Sequence, residues 1–172
     1  GAQHELPPHA VNYRANIDAF RQLEVEGIIA VNAVGGISSM TPPGALCIPD
    51  QLIDYTWGRA HTFSMAAGDD LHHVEFAKPF DGPVRQGLLQ AAAVAKVNTT
   101  DGGCVAVSQG PRLETTAEIR KFEQDGCDLV GMTSMPEAAL AREAKLDYAS
   151  LCVTANWAAG IDPEPVTMTA IE

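Results

Sequence analysis

From residue 103 onward, short apolar runs alternate with helix-length amphipathic stretches, and this alternation is what most restricts the fold. Residues 103–108 read as a strand, 114–125 as a helix, 128–132 as a strand, 136–144 as a helix with proline in its first turn, and 148–154 as a strand. Thr115 and Glu118 carry the spacing of a capping box. Strands that alternate with helices bury their faces as a sheet with helices packed on it, so an α/β domain is expected.

The first half is less regular. Val11, Ile17, Phe20 and Leu23 favour one helical face, with Pro7-Pro8 before them and Gly27 after. Residues 27–33 read as a buried strand ending in Gly35-Gly36. Residues 45–55 read as a second strand region introduced by Pro42-Pro43-Gly44, and 83–97 as an alanine-rich helix. Residues 57–78 lack a period and read as a long loop, a length usually kept for function or partners.

With 172 residues, 46% apolar and 19% charged, the chain is expected to fold as one unit over 1–172. Its 11 basic against 22 acidic residues give a net charge of −11, which disfavours nonspecific binding to nucleic acid or an anionic membrane. An anionic small substrate needs a local site instead. There is no uncharged apolar run of about 18 residues, and no basic-then-apolar leader at the start, so a cytoplasmic protein is expected. Cys47, Cys104, Cys127 and Cys152 form no CxxC pair and read as reduced core thiols. No two of His4, His9, His61, His72 and His73 have metal-ligand helical spacing, so no metal is expected.

Three polar stretches follow apolar runs: Gln109-Gly110-Pro111-Arg112-Leu113-Glu114-Thr115, Gly131-Met132-Thr133-Ser134-Met135-Pro136-Glu137, and Thr154-Ala155-Asn156-Trp157. In open α/β sheets, loops leaving the carboxyl ends of strands converge on one crevice, which makes these one candidate site. Each residue also has a plainer reading. Glu114 suits a helix N-terminus, Asn156 a turn, Met132 a core and Thr133 a strand end.

Together with Ala30-Val31-Asn32-Ala33-Val34-Gly35-Gly36, these stretches resemble the trimeric purine nucleoside phosphorylase and methylthioadenosine phosphorylase family over nearly the whole chain. The resemblance implies a mixed sheet flanked by helices, a homotrimer, and phosphorolysis in purine salvage. Inorganic phosphate is the co-substrate, and no cofactor is implied. Glu114 and Asn156 are then the catalytic pair at the purine. A 6-oxopurine carries a proton on N1 that a carboxylate accepts, and an asparagine amide pairs with O6 and N7; adenine offers a lone pair at N1 instead. The adenine-reading branch has a small residue and an aspartate at these two positions.

By the same resemblance Met132 lies under the ribose, while Leu113, Trp157, Ala158, Ala33 and Thr169 line the pocket. Thr133, Asn32, Ala33 and His4 hold phosphate. His73 covers a neighbouring subunit's 5′ substituent, its plainer reading being an exposed loop histidine; His4 reads equally as a solvated terminal side chain. Arg112 reads as one half of a structural ion pair. The stretch Met168-Thr169-Ala170 lacks the histidine that binds a 5′-hydroxyl in the inosine branch, which favours S-methyl-5′-thioinosine as substrate. Inosine or guanosine, methylthioadenosine, and a noncatalytic nucleoside-binding role are the alternatives. Relatives also carry an N-terminal phosphate-binding turn and a C-terminal helix without counterpart in these residues, so the fold is expected to be incomplete.

Overall fold

The structure is a computed structural model that describes residues 5–66, 68–69 and 71–162. Among these residues the strands are β1 (Gly27–Gly36), β2 (Leu46–Ile48), β3 (Gln51–Asp54), β4 (Thr99–Asp101), β5 (Cys104–Val107), β6 (Leu129–Gly131) and β7 (Asp147–Trp157). They form one mixed sheet in the order β3-β5-β6-β1-β7-β2-β4. The helices are α1 (Tyr13–Gln22), α2 (Pro83–Ala95), α3 (Thr116–Gln124) and α4 (Ser134–Glu143).

The spine is the parallel pair β1·β7, registered from Gly27↔Asp147 to Gly36↔Trp157 with a slip between Val34 and Gly35. Strand β6 meets β1 antiparallel only at its end, where Gly35 faces Val130 and Gly36 faces Leu129. Parallel strands β3, β5 and β6 thus form one wing, joined to the spine by a short seam.

Strand β5 is covered on both faces, which is why 104–107 is apolar without alternation. Val105 and Val107 belong to a core with Tyr13 and Ile17 of α1 and Leu140 and Ala141 of α4. Ala106 belongs to a second core with Val130, Ala158, and Ile119 and Phe122 of α3. Asn12 caps α1 by accepting from the Ala15 amide at 3.1 Å. The start of α2 is held by Asp147, whose Oδ2 accepts from the Val84 amide at 2.6 Å.

Several expectations from sequence need correction. The region 45–55 is two strands on opposite wings: β2 pairs with β7 and β4, and β3 pairs with β5. The break falls at Pro49-Asp50, where proline has no amide to give and Asp50 Oδ1 accepts from the Gly103 amide at 2.9 Å. Strand β4 has no counterpart in the sequence reading, because its three residues are too few to carry a periodic signal. Strand β7 runs on to Trp157, because the slip at Val34/Gly35 restores the ladder and pairs Gly35 with Asn156. Helix α4 begins at Ser134, with Met135 in extended geometry (φ −118°, ψ 137°) ahead of Pro136.

Candidate functional site

The capping box read from sequence forms as expected: Thr115 Oγ1 accepts from the Glu118 amide at 3.1 Å, and Glu118 accepts from the Thr115 amide at 2.7 Å. Arg112 grips the same Glu118 carboxylate with both guanidinium nitrogens, at 2.8 and 2.7 Å. Arg112 first, and then the Thr115 amide, pull the Glu118 carboxyl down to about 2. Both partners are exposed, so the ion pair itself adds little to stability. The carboxylate that serves the α3 N-terminus is therefore Glu118, and Glu114 stands one residue before the cap. Glu114 Oε1 instead accepts a 2.5 Å hydrogen bond from the Ser108 hydroxyl.

Ser108 follows the last residue of β5, and its amide donates to the Gly131 carbonyl at 2.8 Å, continuing the β5·β6 ladder. Gly110, with φ 55°, turns the chain back. A Cβ there would lie 2.5 Å from Met132 Sδ, so only glycine lets this loop close down on the Met132 side chain.

Asn156 sits on β7 beside Gly35 and donates from Nδ2 to the Trp157 carbonyl at 2.6 Å. Beyond it the chain bends back under α3. A Cβ on Gly160 would lie 2.3 Å from Thr116 Cγ2, so the segment after Asn156 lies against the first residue of α3. Glu114 and Asn156 are thus on segments that touch through Gly160 and Thr116, while the two side chains bond to Ser108 and to the Trp157 carbonyl rather than to each other.

Asn32 and Thr133 come together directly. Carrying the antiparallel register of Gly35↔Val130 along both chains places Asn32 opposite Thr133. Thr133 Oγ1 donates to Asn32 Oδ1 at 3.0 Å, and Asn32 Nδ2 donates to Ser150 Oγ at 2.8 Å. Ser150 is fully buried on β7, whereas Thr133 and the neighbouring Ala33 are exposed. This chain of polar groups leads from the core to the surface beside the spine.

Arg59 was not singled out from sequence, yet it ties these parts together. It lies in the loop 57–78 with 7% exposure. Its Nη1 donates to the carbonyls of Met132 (2.8 Å) and Met135 (2.6 Å), and its Nη2 to those of Gln109 (2.8 Å) and Ser108 (3.4 Å). Its Nε reaches Gln109 Oε1 at 3.3 Å, and the guanidinium lies 5.9 Å from the Tyr13 ring centroid. Desolvation lowers its pKa, against the charges of Tyr13 and Asp54. A single side chain thus binds the loop after β5 to the loop after β6. Its neighbours in sequence, Gly58 and Ala60, carry no pattern that marks it. The signal was its position in a long aperiodic loop.

The same loop is fastened to α4 by Glu143, whose Oε1 accepts from Thr62 Oγ1 at 3.0 Å and from the Phe63 amide at 3.1 Å. His73 lies further along it, exposed. Leu113 is exposed and Trp157 half-buried, while Ala158 is packed in the core beneath α3. His4 and Thr169 lie outside the described residues. Cys47, Cys127 and Cys152 are buried, Cys104 half-buried, and the Cys104 and Cys127 sulfurs stand 3.9 Å apart as free thiols. Among the described residues no group of three or more His, Cys, Asp or Glu side chains is arranged to hold a metal, and no helix is long and apolar enough to cross a membrane.

A family model described as the Phosphorylase superfamily matches residues 2–172. The chain is 53% identical over 172 residues to a probable S-methyl-5′-thioinosine phosphorylase of Xanthomonas campestris pv. campestris, covering 99% of this chain and 69% of that protein. It is 43% identical to a probable 6-oxopurine nucleoside phosphorylase of Thermococcus kodakarensis, covering 99% of this chain and 66% of the relative. Its fold is similar to methylthioadenosine phosphorylase from Schistosoma mansoni in complex with adenine, with a TM-score of 0.93 and 34% identity over 99% of this chain and 67% of that one. The chain spans about two thirds of the length of these proteins.

Proposed function

The chain belongs to the phosphorylase superfamily, and from that premise we propose that it serves the phosphorolysis of a 6-oxopurine nucleoside, with S-methyl-5′-thioinosine preferred over inosine or guanosine. The products are hypoxanthine and 5-methylthioribose 1-phosphate. The observation that carries this reading is the Glu114 carboxylate, free of the α3 cap and held by Ser108 at the end of β5. The names of the two curated relatives support the same substrate class.

In the proposed reaction a phosphate oxygen bonds to ribose C1′ as the C1′–N9 bond breaks, and the electron pair passes into the purine. Charge grows on the base in the transition state, so donors and acceptors along its edge act most strongly there. Glu114 accepts the N1 proton. Asn156 uses one Nδ2 hydrogen on the Trp157 carbonyl and has a second for N7, which fixes its amide plane.

At the other end, the chain Thr133–Asn32–Ser150 works in two directions. In one direction the Thr133 hydroxyl donates to Asn32 Oδ1. If Ser150 donates to Asn32 and Asn32 to Thr133, the same three groups stay bonded and the threonine hydrogen is released toward phosphate. Ala33 adds backbone at this edge, and Met132 underlies the sugar. The assembly proposed is a homotrimer in the cytoplasm, with His73 over the neighbour's 5′ group; sedimentation with and without His73→Ala tests the first point and the 5′ preference the second.

The test of the substrate class is calorimetric titration of the chain with hypoxanthine and adenine, beside an assay of phosphate-dependent base release from methylthioinosine, inosine and methylthioadenosine. Hypoxanthine is expected to bind more tightly and to be the base released. In the double variant Glu114→Ser, Asn156→Asp the preference is expected to narrow by at least about tenfold, the cost of leaving one buried polar group unpaired. Tighter binding or release of adenine by the unaltered protein overturns the reading.

A further inference from the structure

Glu114 takes its orientation from a neighbour that the resemblance and the relatives leave without a role. Three polar groups of Ser108 are engaged. Its amide donates to the Gly131 carbonyl at 2.8 Å, its carbonyl accepts from Arg59 Nη2 at 3.4 Å, and its hydroxyl donates to Glu114 Oε1 at 2.5 Å. The residue is 7% exposed, and the bond to Glu114 spans only six positions of a loop that Arg59 also holds at Gln109. Backbone anchors on both sides therefore fix the direction of the hydroxyl. A hydroxyl has one hydrogen, and here the carboxylate receives it.

We propose that Ser108 is a specificity-determining positioning residue, which makes Glu114 select bases by their N–H. This inference rests on the reading of Glu114 as the purine contact and deepens it. The hydroxyl engages one carboxylate oxygen, restrains the outer torsions of the glutamate and leaves the second oxygen to meet the ring edge as an acceptor. A base with hydrogen on its first ring nitrogen completes that pair. A base with a lone pair there meets an acceptor that is not free to swing away, because Ser108 holds it. Discrimination comes from the second half of this arrangement as much as from the first: an unrestrained glutamate turns aside for adenine at little cost, and a restrained one does not.

The experiment compares the dissociation constants of hypoxanthine and adenine for the wild-type chain, Ser108→Ala, Ser108→Thr and Ser108→Cys. Loss of a hydrogen bond to a charged group corresponds to about ten- to one-hundredfold in affinity. Ser108→Ala is expected to lose about tenfold or more toward hypoxanthine while adenine binding holds or improves, so that the ratio of the two constants collapses. Ser108→Thr, which keeps the hydroxyl, restores the ratio, and Ser108→Cys, nearly isosteric with a weaker donor, falls between. A merely structural role lowers both affinities together and leaves the ratio intact, and that result overturns the proposal. Should Ser108→Ala fail to fold, the threonine and cysteine variants decide by the same ratio. Wild-type protein with no preference for hypoxanthine overturns the reading of Glu114 itself; wild-type preference that survives in Ser108→Ala overturns only the role of Ser108.

Discussion

The two ends of the candidate site are built at different ranges. At the base end, Ser108 and Glu114 are six positions apart in one loop, braced by a capping box whose members are three apart. At the phosphate end, Thr133 and Asn32 are 101 positions apart, and Asn32 and Ser150 are 118 apart. One end is set by a turn and the other by the register of three strands. A loop can tilt and keep its internal bonds, whereas a register error of one residue turns Asn32 to the opposite face and dissolves the second end completely. The base end is therefore tolerant of drift and the phosphate end is not, unless something ties the two together.

Arg59 is that tie, and removing it gives the largest expected effect. Arg59→Met takes the guanidinium donor from the carbonyls of Ser108, Gln109, Met132 and Met135, while the Gln109 amide oxygen keeps only the Trp57 amide at 3.2 Å. Unpaired buried acceptors each carry a desolvation penalty, and with partial relaxation the total is expected to be about 3–5 kcal/mol in urea unfolding. Arg59→Lys, which keeps the charge but not the fork, is expected to recover less than half of it. A loss under about 1 kcal/mol means that the loops after β5 and β6 hold their spacing without the guanidinium, and the contrast between the two ends then needs another explanation.

Ser150→Ala sharpens the contrast from the other side. It removes the buried terminus of the Thr133–Asn32–Ser150 chain without touching the Ser108 loop. Asn32 Nδ2 is left without its acceptor, which is expected to cost about 1–3 kcal/mol of stability and to weaken phosphate binding, read by titration with inorganic phosphate. Hypoxanthine affinity is expected to stay within about twofold, a change worth well under 1 kcal/mol. Equal losses for both ligands show that the two ends are one cooperative network rather than two.

This difference in range also governs how much could be read from the residues in order. The capping box, the helices, the runs that became β1, β5, β6 and β7, and an ion-pair role for Arg112, though not Glu118 as its partner, were legible because each is decided within about a dozen neighbours. The family and the fold class expected from the ordered motifs are borne out. What was not legible depends on contacts across the sheet. Asn156 and Trp157 read as a loop but lie on β7, because one extra residue there, Ala155, is left unpaired and the ladder with β1 continues. Region 45–55 reads as one strand but splits at Pro49-Asp50, since the two halves pair with strands on opposite wings. Arg59 carries no local signal because five acceptors from two distant stretches, rather than its neighbours, define it. The packing of Ala158 beneath α3 follows from the bend at Gly160, which no local pattern announces.

The smallest effect lies underneath both ends, where Glu137 of α4 accepts from the Tyr148 hydroxyl at 2.9 Å. Burial raises the Glu137 pKa above the ordinary carboxylate value, and the Tyr148 bond offsets only part of that. Tyr13 borders the same carboxylate, is raised chiefly by its own burial, and feels Arg59 as an opposing charge. Because the folded state binds this proton more firmly than the unfolded chain, it holds more protons between the ordinary carboxylate value and the raised one. The stabilisation is thus complete below that window and is lost as pH rises through it. Glu137→Gln keeps an acceptor for Tyr148 and removes the titration. The melting temperature of the wild type minus that of the variant is expected to fall as pH rises upward from the ordinary carboxylate value, as the raised Glu137 carboxyl ionises. A difference that grows with pH instead means that the anion is favoured in the fold, and among the described residues Arg59 is the cation beside Tyr13, 5.9 Å from its ring centroid. In that case the charge of Arg59 reaches Glu137 by way of Tyr13, which feels both groups, and losing Glu137 should reproduce part of what Arg59→Met does to both ends.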